Sequence, residues 1–258
     1  MSPHGTPIWY ELHTPDHGVA KRFYDAVVGW TVEGAPAGPV DYRMITAADG
    51  NVGGVMQLNE AMIAGGARPG WLFYLSADDV DATADRITAA GGAVLMPPFD
   101  MAGVGRMAFV ADPAGAPFYI MRGQGDGDST AFAPGVPGHP SWHELFTIDD
   151  AGALAFYRTV FGWTSPGGMP MGPGREYRFL HIGDQVLGGL GPSSDPDQPP
   201  RWRFYFEVAD LDAAIEQVTT GGGTITFGPE EMPGGSRTIQ GTDPTGAPFA
   251  LVSSPKGG

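Results

Sequence analysis

The sequence predicts an α+β fold: a tandem duplication in which each half holds two βαβββ modules forming a cupped eight-stranded sheet. Three observations carry the prediction. All six tryptophans pair at a nearly constant offset, Trp9 with Trp142, Trp30 with Trp163 and Trp71 with Trp202. The neighbours match as well. Trp9-Tyr10-Glu11-Leu12 answers to Trp142-His143-Glu144-Leu145, and Phe23-Tyr24 through Gly29-Trp30-Thr31 answers to Phe156-Tyr157 through Gly162-Trp163-Thr164. Asp112-Pro113-Ala114-Gly115-Ala116-Pro117-Phe118 answers to Asp243-Pro244-Thr245-Gly246-Ala247-Pro248-Phe249. Finally, four amphipathic segments, each opened by aspartate and closed by glycine, mark four copies of one unit. Any site should then exist in two diverging copies.

The first helix starts after Asp16 and places Ala20, Phe23, Tyr24, Val27 and Val28 on one face, with Gly29 as its stop. The second follows Asp79 with Val80, Thr83, Ala84 and Ile87, and ends at Gly91-Gly92. The third follows Asp149 with Ala153, Phe156, Tyr157, Val160 and Phe161, and stops at Gly162. The fourth follows Asp210 with Leu211, Ala214, Ile215 and Val218, and stops at Gly221. Short apolar runs predict strands at 8–14, 30–33, 42–47 and 53–58, then at 71–77, 93–96, 106–111 and 118–121. The second half mirrors them from 142–147 to 249–252. Residues 123–138 are rich in glycine and proline and read as a linker between domains 1–122 and 139–258. One helix cannot cover both faces of its sheet, so the concave face is left to hold a ligand.

The chain of 258 residues carries 29 acidic and 14 basic residues, a formal charge of −15, which disfavours nucleic acid. It has no cysteine, so thiolate nucleophiles and thiolate metal sites are excluded. No apolar run approaches a bilayer span and no secretory signal is visible, so a cytoplasmic protein without membrane contact is expected. Four modules in one chain can complete both cups, which predicts a monomer or weak homodimer.

Strand, aspartate, helix with Phe-Tyr and Gly-Trp, then Asp-Pro-x-Gly: this order resembles the vicinal oxygen chelate superfamily of glyoxalase I, extradiol dioxygenases, fosfomycin-resistance enzymes and bleomycin-binding proteins. The run Trp-x-Glu-Leu resembles a two-domain actinobacterial glyoxalase-like subgroup, often labelled "hydroxylase", that includes a mycobacterial antigen. The resemblance implies the cupped fold. It also implies a divalent metal held from the first strand, the fifth strand and the strand after Asp-Pro-x-Gly. Those positions fall on Trp9 and Trp142, near Leu72 and Arg203, and on Tyr119 and Ala250. None is a good ligand. A small shift reaches Glu11 or Glu144, but no second imidazole or carboxylate follows. No metal and no cofactor are expected.

Strand alternation puts Trp9, Glu11 and His13 on one face and Tyr10, Leu12 and Thr14 on the other. If the leucine face packs under the helices, Glu11 and Glu144 look into their cups. Partial desolvation beside Trp9 or Trp142 would raise a carboxylate's pKa and suit it to general-base work. The competing reading is a structural carboxylate bonded to a neighbouring strand or an arginine. His13 joins Glu11 as a catalytic candidate, whereas its counterpart is Phe146. Trp9, Trp142, Tyr42, Tyr177, Tyr74 and Tyr205 are candidates for holding a small planar ligand, with ordinary packing as the alternative. Arg106 and Arg237 would meet an anionic group or pair with the two glutamates. His143 should point to the helix side. Asp-Pro-x-Gly reads as a hairpin turn, and Gly53-Gly54 and Gly188-Gly189 as bulges or a close approach under the ligand.

Three functions follow. The leading one is metal-independent acid–base chemistry on a small aromatic or carbonyl-bearing metabolite: isomerisation, cyclisation or elimination. Sequestration of an antibiotic-like small molecule is the second. A metal enzyme with shifted ligands is the third.

Overall fold

The computed structural model describes residues 1–34, 41–193, 195 and 200–255. In chain order the first half contains β1 (Pro7–Thr14), α1 (His17–Val27), β2 (Thr31–Val32), β3 (Tyr42–Ala47), β4 (Gly50–Gln57), α2 (Glu60–Ala64), β5 (Gly70–Ser76), α3 (Val80–Ala89), β6 (Ala93–Met101), β7 (Gly105–Ala111) and β8 (Pro117–Gly123). The second contains β9 (Pro140–Thr147), α4 (Asp150–Phe161), β10 (Gly168–Pro170), β11 (Glu176–Ile182), β12 (Gln185–Pro192), β13 (Trp202–Glu207), α5 (Leu211–Thr220), β14 (Thr224–Glu231), β15 (Arg237–Thr242) and β16 (Pro248–Ser253). Two mixed eight-stranded sheets result, in the orders β2-β3-β4-β1-β5-β8-β7-β6 and β10-β11-β12-β9-β13-β16-β15-β14. The duplicated cupped architecture stands as predicted.

The four helix starts are set by their caps. The side chains of Asp16, Asp79, Asp149 and Asp210 accept from Val19, Ala82, Gly152 and Ala213 backbone N–H groups, which occupy orphan donors of the first turn. Gly162 ends α4 in the left-handed region at φ 72°, where a side chain would be strained. The short helix α2 was not expected; its residues bury no face. Strand β6 runs past its predicted end through Pro97-Pro98. It is the last strand of its sheet, where a missing N–H costs no ladder bond. No described helix is long and apolar enough to cross a membrane.

The chain forms two compact units that do not follow the halves. One comprises Met1–Ile8, Phe73–Ser129 and Trp142–Trp202. Its core joins Phe73, Phe118, Tyr157, Trp163 and Trp202. The other comprises Trp9–Leu72, Thr130–Ser141 and the chain from Arg203. Its core joins Tyr24, Trp30, Trp71, Phe206 and Phe249.

Each unit is fastened by the same lock. In the first, Trp202 Nε1 donates to the Tyr157 hydroxyl (2.9 Å), which donates to Asp112 Oδ2 (3.2 Å). In the second, Trp71 Nε1 donates to Tyr24 (3.0 Å), which donates to Asp243 Oδ2 (3.1 Å). The other oxygen of each aspartate closes its turn, accepting from Ala114 and Ala116 or from Thr245 and Ala247. The Asp-Pro-x-Gly motif is therefore the expected turn and also an anchor for a helix tyrosine of the opposite half. Burial pushes both tyrosines well above their ordinary range and raises the Asp112 carboxyl against its hydrogen bonds.

Part of the segment between the halves is packed, although 124–128 and 134–137 are exposed. Ala131, Phe132 and His139 are buried, His139 bonds Asp49 (2.7 Å) and the Ala131 carbonyl, and Trp30 Nε1 donates to the Gly138 carbonyl (2.7 Å).

Candidate functional site

Strand β1 divides its side chains as alternation requires. Tyr10 and Leu12 are sealed in the core at 1% and 0% exposure. On the opposite face His13 Nε2 lies 2.6 Å from Glu11 Oε1, and Trp9 Nε1 donates to the Tyr42 hydroxyl at 2.7 Å. Glu11 is itself only 2% exposed and His13 9%, so their bond is made largely out of water. A hydrogen bond to a charged group gains strength in such a medium.

The register explains how Tyr42 comes to lie here. Glu11 pairs with Gly54 across the parallel β1–β4 ladder, and β3 brings Tyr42 alongside β4. A Cβ on Gly54 would overlap the Tyr42 ring. The glycine pair thus does mark a close approach, but by the protein itself: the Tyr10 carbonyl at Gly53 and the Tyr42 ring at Gly54. Beside Tyr42, Arg43 pairs with Asp41 (2.8 Å) and holds that carboxyl below the usual range.

The second copy repeats this plan with one change. Trp142 Nε1 donates to the Tyr177 hydroxyl (2.8 Å), which donates to Glu144 Oε1 (3.0 Å). Glu144 pairs with Gly189, whose Cβ would overlap the Tyr177 ring. Where the first copy has His13, the second has Phe146, its ring 6.0 Å from that of Tyr177. Glu144 is half-buried. The duplicated carboxylates therefore differ in one neighbour: His13 beside Glu11, and Phe146 at the matching position of the second copy.

His143 is buried on the other face of β9, and its Nδ1–H donates to the Leu187 carbonyl at 2.7 Å. Burial pushes its pKa down to about 3. A neutral imidazole with a spent donor packed 5.7 Å from Phe73 serves structure.

Tyr74 stacks on Tyr119, with centroids 4.4 Å apart and planes 9° apart. Tyr205 accepts from Gln240 Nε2 at 2.9 Å. Arg106 grips Asp81 with two bonds (2.6 and 2.8 Å) and reaches Asp100 (3.0 Å), and Arg237 grips Asp212 (2.8 and 2.9 Å). Both arginines hold an aspartate in the first turn of a helix and depress its carboxyl. Those aspartates take the place of the glutamate partners that sequence offered. Sequence reasoning weighed Tyr119 only as a metal position and passed over Phe109 and Gln240; strand register brings these residues beside Tyr74 and Tyr205.

The fold's usual divalent ion needs about three protein donors. Glu11 and His13 supply two, and among the described residues no group of three or more His, Cys, Asp or Glu is gathered. The donor set does not fit such an ion.

Comparison with known proteins agrees with the architecture. The Glyoxalase/Bleomycin resistance protein/Dioxygenase superfamily profile matches twice, over residues 7–120 and 138–251. CFP32 of Mycobacterium tuberculosis, whose name carries the word glyoxylase, is 35% identical over 250 residues, covering 96% of this chain and 94% of its own. The anthracycline biosynthesis protein DnrV of Streptomyces peucetius is 32% identical over 280 residues, covering 98% and 94%. Among solved structures, the Mn(II)-bound glyoxalase from Novosphingobium aromaticivorans shares the fold at a TM-score of 0.67 and 19% identity, covering 98% of this chain and 83% of that one. The 2,3-dioxygenase LapB from Pseudomonas sp. KL28 does so at 0.67 and 14%, covering 98% and 94%. With two full copies of the domain and relatives matched end to end, the chain belongs to the Glyoxalase/Bleomycin resistance protein/Dioxygenase superfamily.

Proposed function

We propose that the chain is a metal-independent acid–base catalyst of this superfamily. Its substrate is a small aromatic, carbonyl-bearing metabolite, and the Glu11–His13 pair moves the proton. The carrying observation is the 2.6 Å contact between Glu11 Oε1 and His13 Nε2 in a nearly dry environment. A carboxylate so held can accept a proton from a carbon next to a carbonyl. The electron pair passes into the carbonyl to give an enol or enolate, and His13 holds Glu11 while the proton is returned at a neighbouring atom. The result is an isomerisation, or with a second bond change a cyclisation or elimination. The names of the relatives support the substrate class, one an anthracycline biosynthesis protein and one a glyoxylase. The two-donor set supports chemistry without an ion.

A binding protein is the second reading. The Trp142–Tyr177–Glu144 chain, with no histidine at its end, favours it for the second copy.

Exchange of carbon-bound hydrogen separates the two. With 1-phenyl-1,2-propanedione in D2O, proton NMR should show protein-dependent loss of the methyl signal that survives chelator treatment. Glu11→Gln should reduce the rate about a hundredfold or more with KM kept, and Glu144→Gln should leave it intact. An unchanged Glu11→Gln rate sinks the catalytic assignment. So does stoichiometric metal whose removal abolishes exchange.

A further inference from the structure

One row of side chains in the unit that contains β5 to β8 goes beyond this chemistry. Tyr74 pairs with Tyr119, Tyr119 with Phe109 and Phe109 with Met96, across β5, β8, β7 and β6. Directly opposed residues share one face of a sheet, so the four form a continuous line. Its rings adjoin: Tyr74 stacks on Tyr119 at 4.4 Å and 9°, and Phe109 lies tilted against Tyr119 at 4.6 Å and 33°. The line is closed at one end and open at the other. Tyr74 and Tyr119 are 6% and 7% exposed, Phe109 is half-buried and Met96 is 43% exposed. At the open end the register sets Met96, an unbranched thioether on β6, opposite Phe109. The β6–β7 register slips on both sides of Met96, an irregularity of the kind that re-aims a side chain.

The second copy shows that the fold does not require this stack. The matching row is Tyr205, Ala250, Gln240 and Phe227. There Gln240 reaches across a small alanine to bond Tyr205. Three stacked rings are thus a property of one copy and not of the architecture.

We infer that the Tyr74–Tyr119–Phe109 stack is a platform for a planar aromatic ligand. The ligand's ring takes the next position along the row, on Phe109, and Met96 swings outward to lie over its edge. Offset stacking favours such a layer, and a flexible, polarisable methionine suits a clasp. The formal charge of −15 selects against anionic rings, so the class is a neutral or cationic fused-ring compound. This inference rests on the aromatic substrate class proposed above and not on the proton-transfer step.

The test is titration of the full-length protein with 1,4-dihydroxyanthraquinone, followed by its visible absorbance. Phe109→Ala should weaken binding at least tenfold and Phe109→Tyr should preserve it. Gln240→Ala, at the matching position of the other copy, should leave it unchanged. Because Phe109→Ala removes packing, Met96→Trp at the exposed end is the companion variant. It should fill the platform and weaken binding while thermal melting stays that of the wild type. Wild-type protein that does not bind the dye overturns the inference, and so does dye affinity indifferent to both substitutions. Loss of binding in Phe109→Ala without any proton exchange by the wild type would uphold the platform and remove the catalytic reading. Exchange lost in Glu11→Gln with binding untouched by Phe109→Ala would do the reverse.

Discussion

Acidification should weaken this protein through a residue that takes no part in its chemistry. His143 is buried and neutral, its pKa depressed from 6.5 to about 3 chiefly by desolvation. A base whose folded value is depressed contributes its full stability above the unfolded value. It loses that contribution as the pH falls toward the folded one, because the unfolded chain takes up a proton that the native state refuses. At pH 5 the unfolded imidazole is almost entirely protonated and the folded one is not. Linkage then gives a loss of about 2 kcal/mol relative to pH 7.5 from this residue alone. The assay is urea unfolding followed by tryptophan fluorescence at both pH values, on the wild type and on His143→Asn. Asparagine places an N–H where Nδ1 lies, keeping a donor for the Leu187 carbonyl, and does not titrate. Wild-type stability should fall about 2 kcal/mol further than that of the variant. Parallel losses would show that His143 is hydrated or already charged in the native state, and the reasoning from burial would fail.

Other perturbations read the remaining features. Gly54→Ala places a methyl group where the Tyr42 ring lies, and should cost about 1–3 kcal/mol in thermal or chemical denaturation. Tyr157→Phe removes a donor from buried Asp112 and the acceptor of Trp202, and should cost about 1–3 kcal/mol in the same measurements. Tyr24→Phe should behave alike in the other unit. The double variant should be additive within about 0.5 kcal/mol, since the two locks share no partner.

Much of the fold was legible because rare residues repeat. Tryptophan pairs and aspartate–glycine brackets locate four modules, and alternation along β1 separates Leu12 from Glu11. What sequence left out depends on pairing between distant segments. Periodicity shows that Tyr157 lies on a buried helix face, but not that its hydroxyl meets Asp112 of the other half. The stack of Tyr74, Tyr119 and Phe109 needs three strand registers at once. Gly54 was recognisable as a close approach, yet the approaching group came from β3. Arg106 and Arg237 looked suited to Glu11 and Glu144 only because sequence order conceals Asp81 and Asp212, each two residues past a helix cap.

The interleaving of the two packed units constrains how the polypeptide can be made. Each unit draws on segments from both halves of the chain. While the ribosome is still translating the second half, Tyr24 has no Asp243 to bind and Asp112 has no Tyr157. The early product must wait with much of its aromatic surface unburied, the interval in which nascent chains aggregate or recruit chaperones. Neither lock can close until distal sequence emerges: the unit that ends at Trp202 should close first, and the other only once the segment from Arg203 with Asp243 is out.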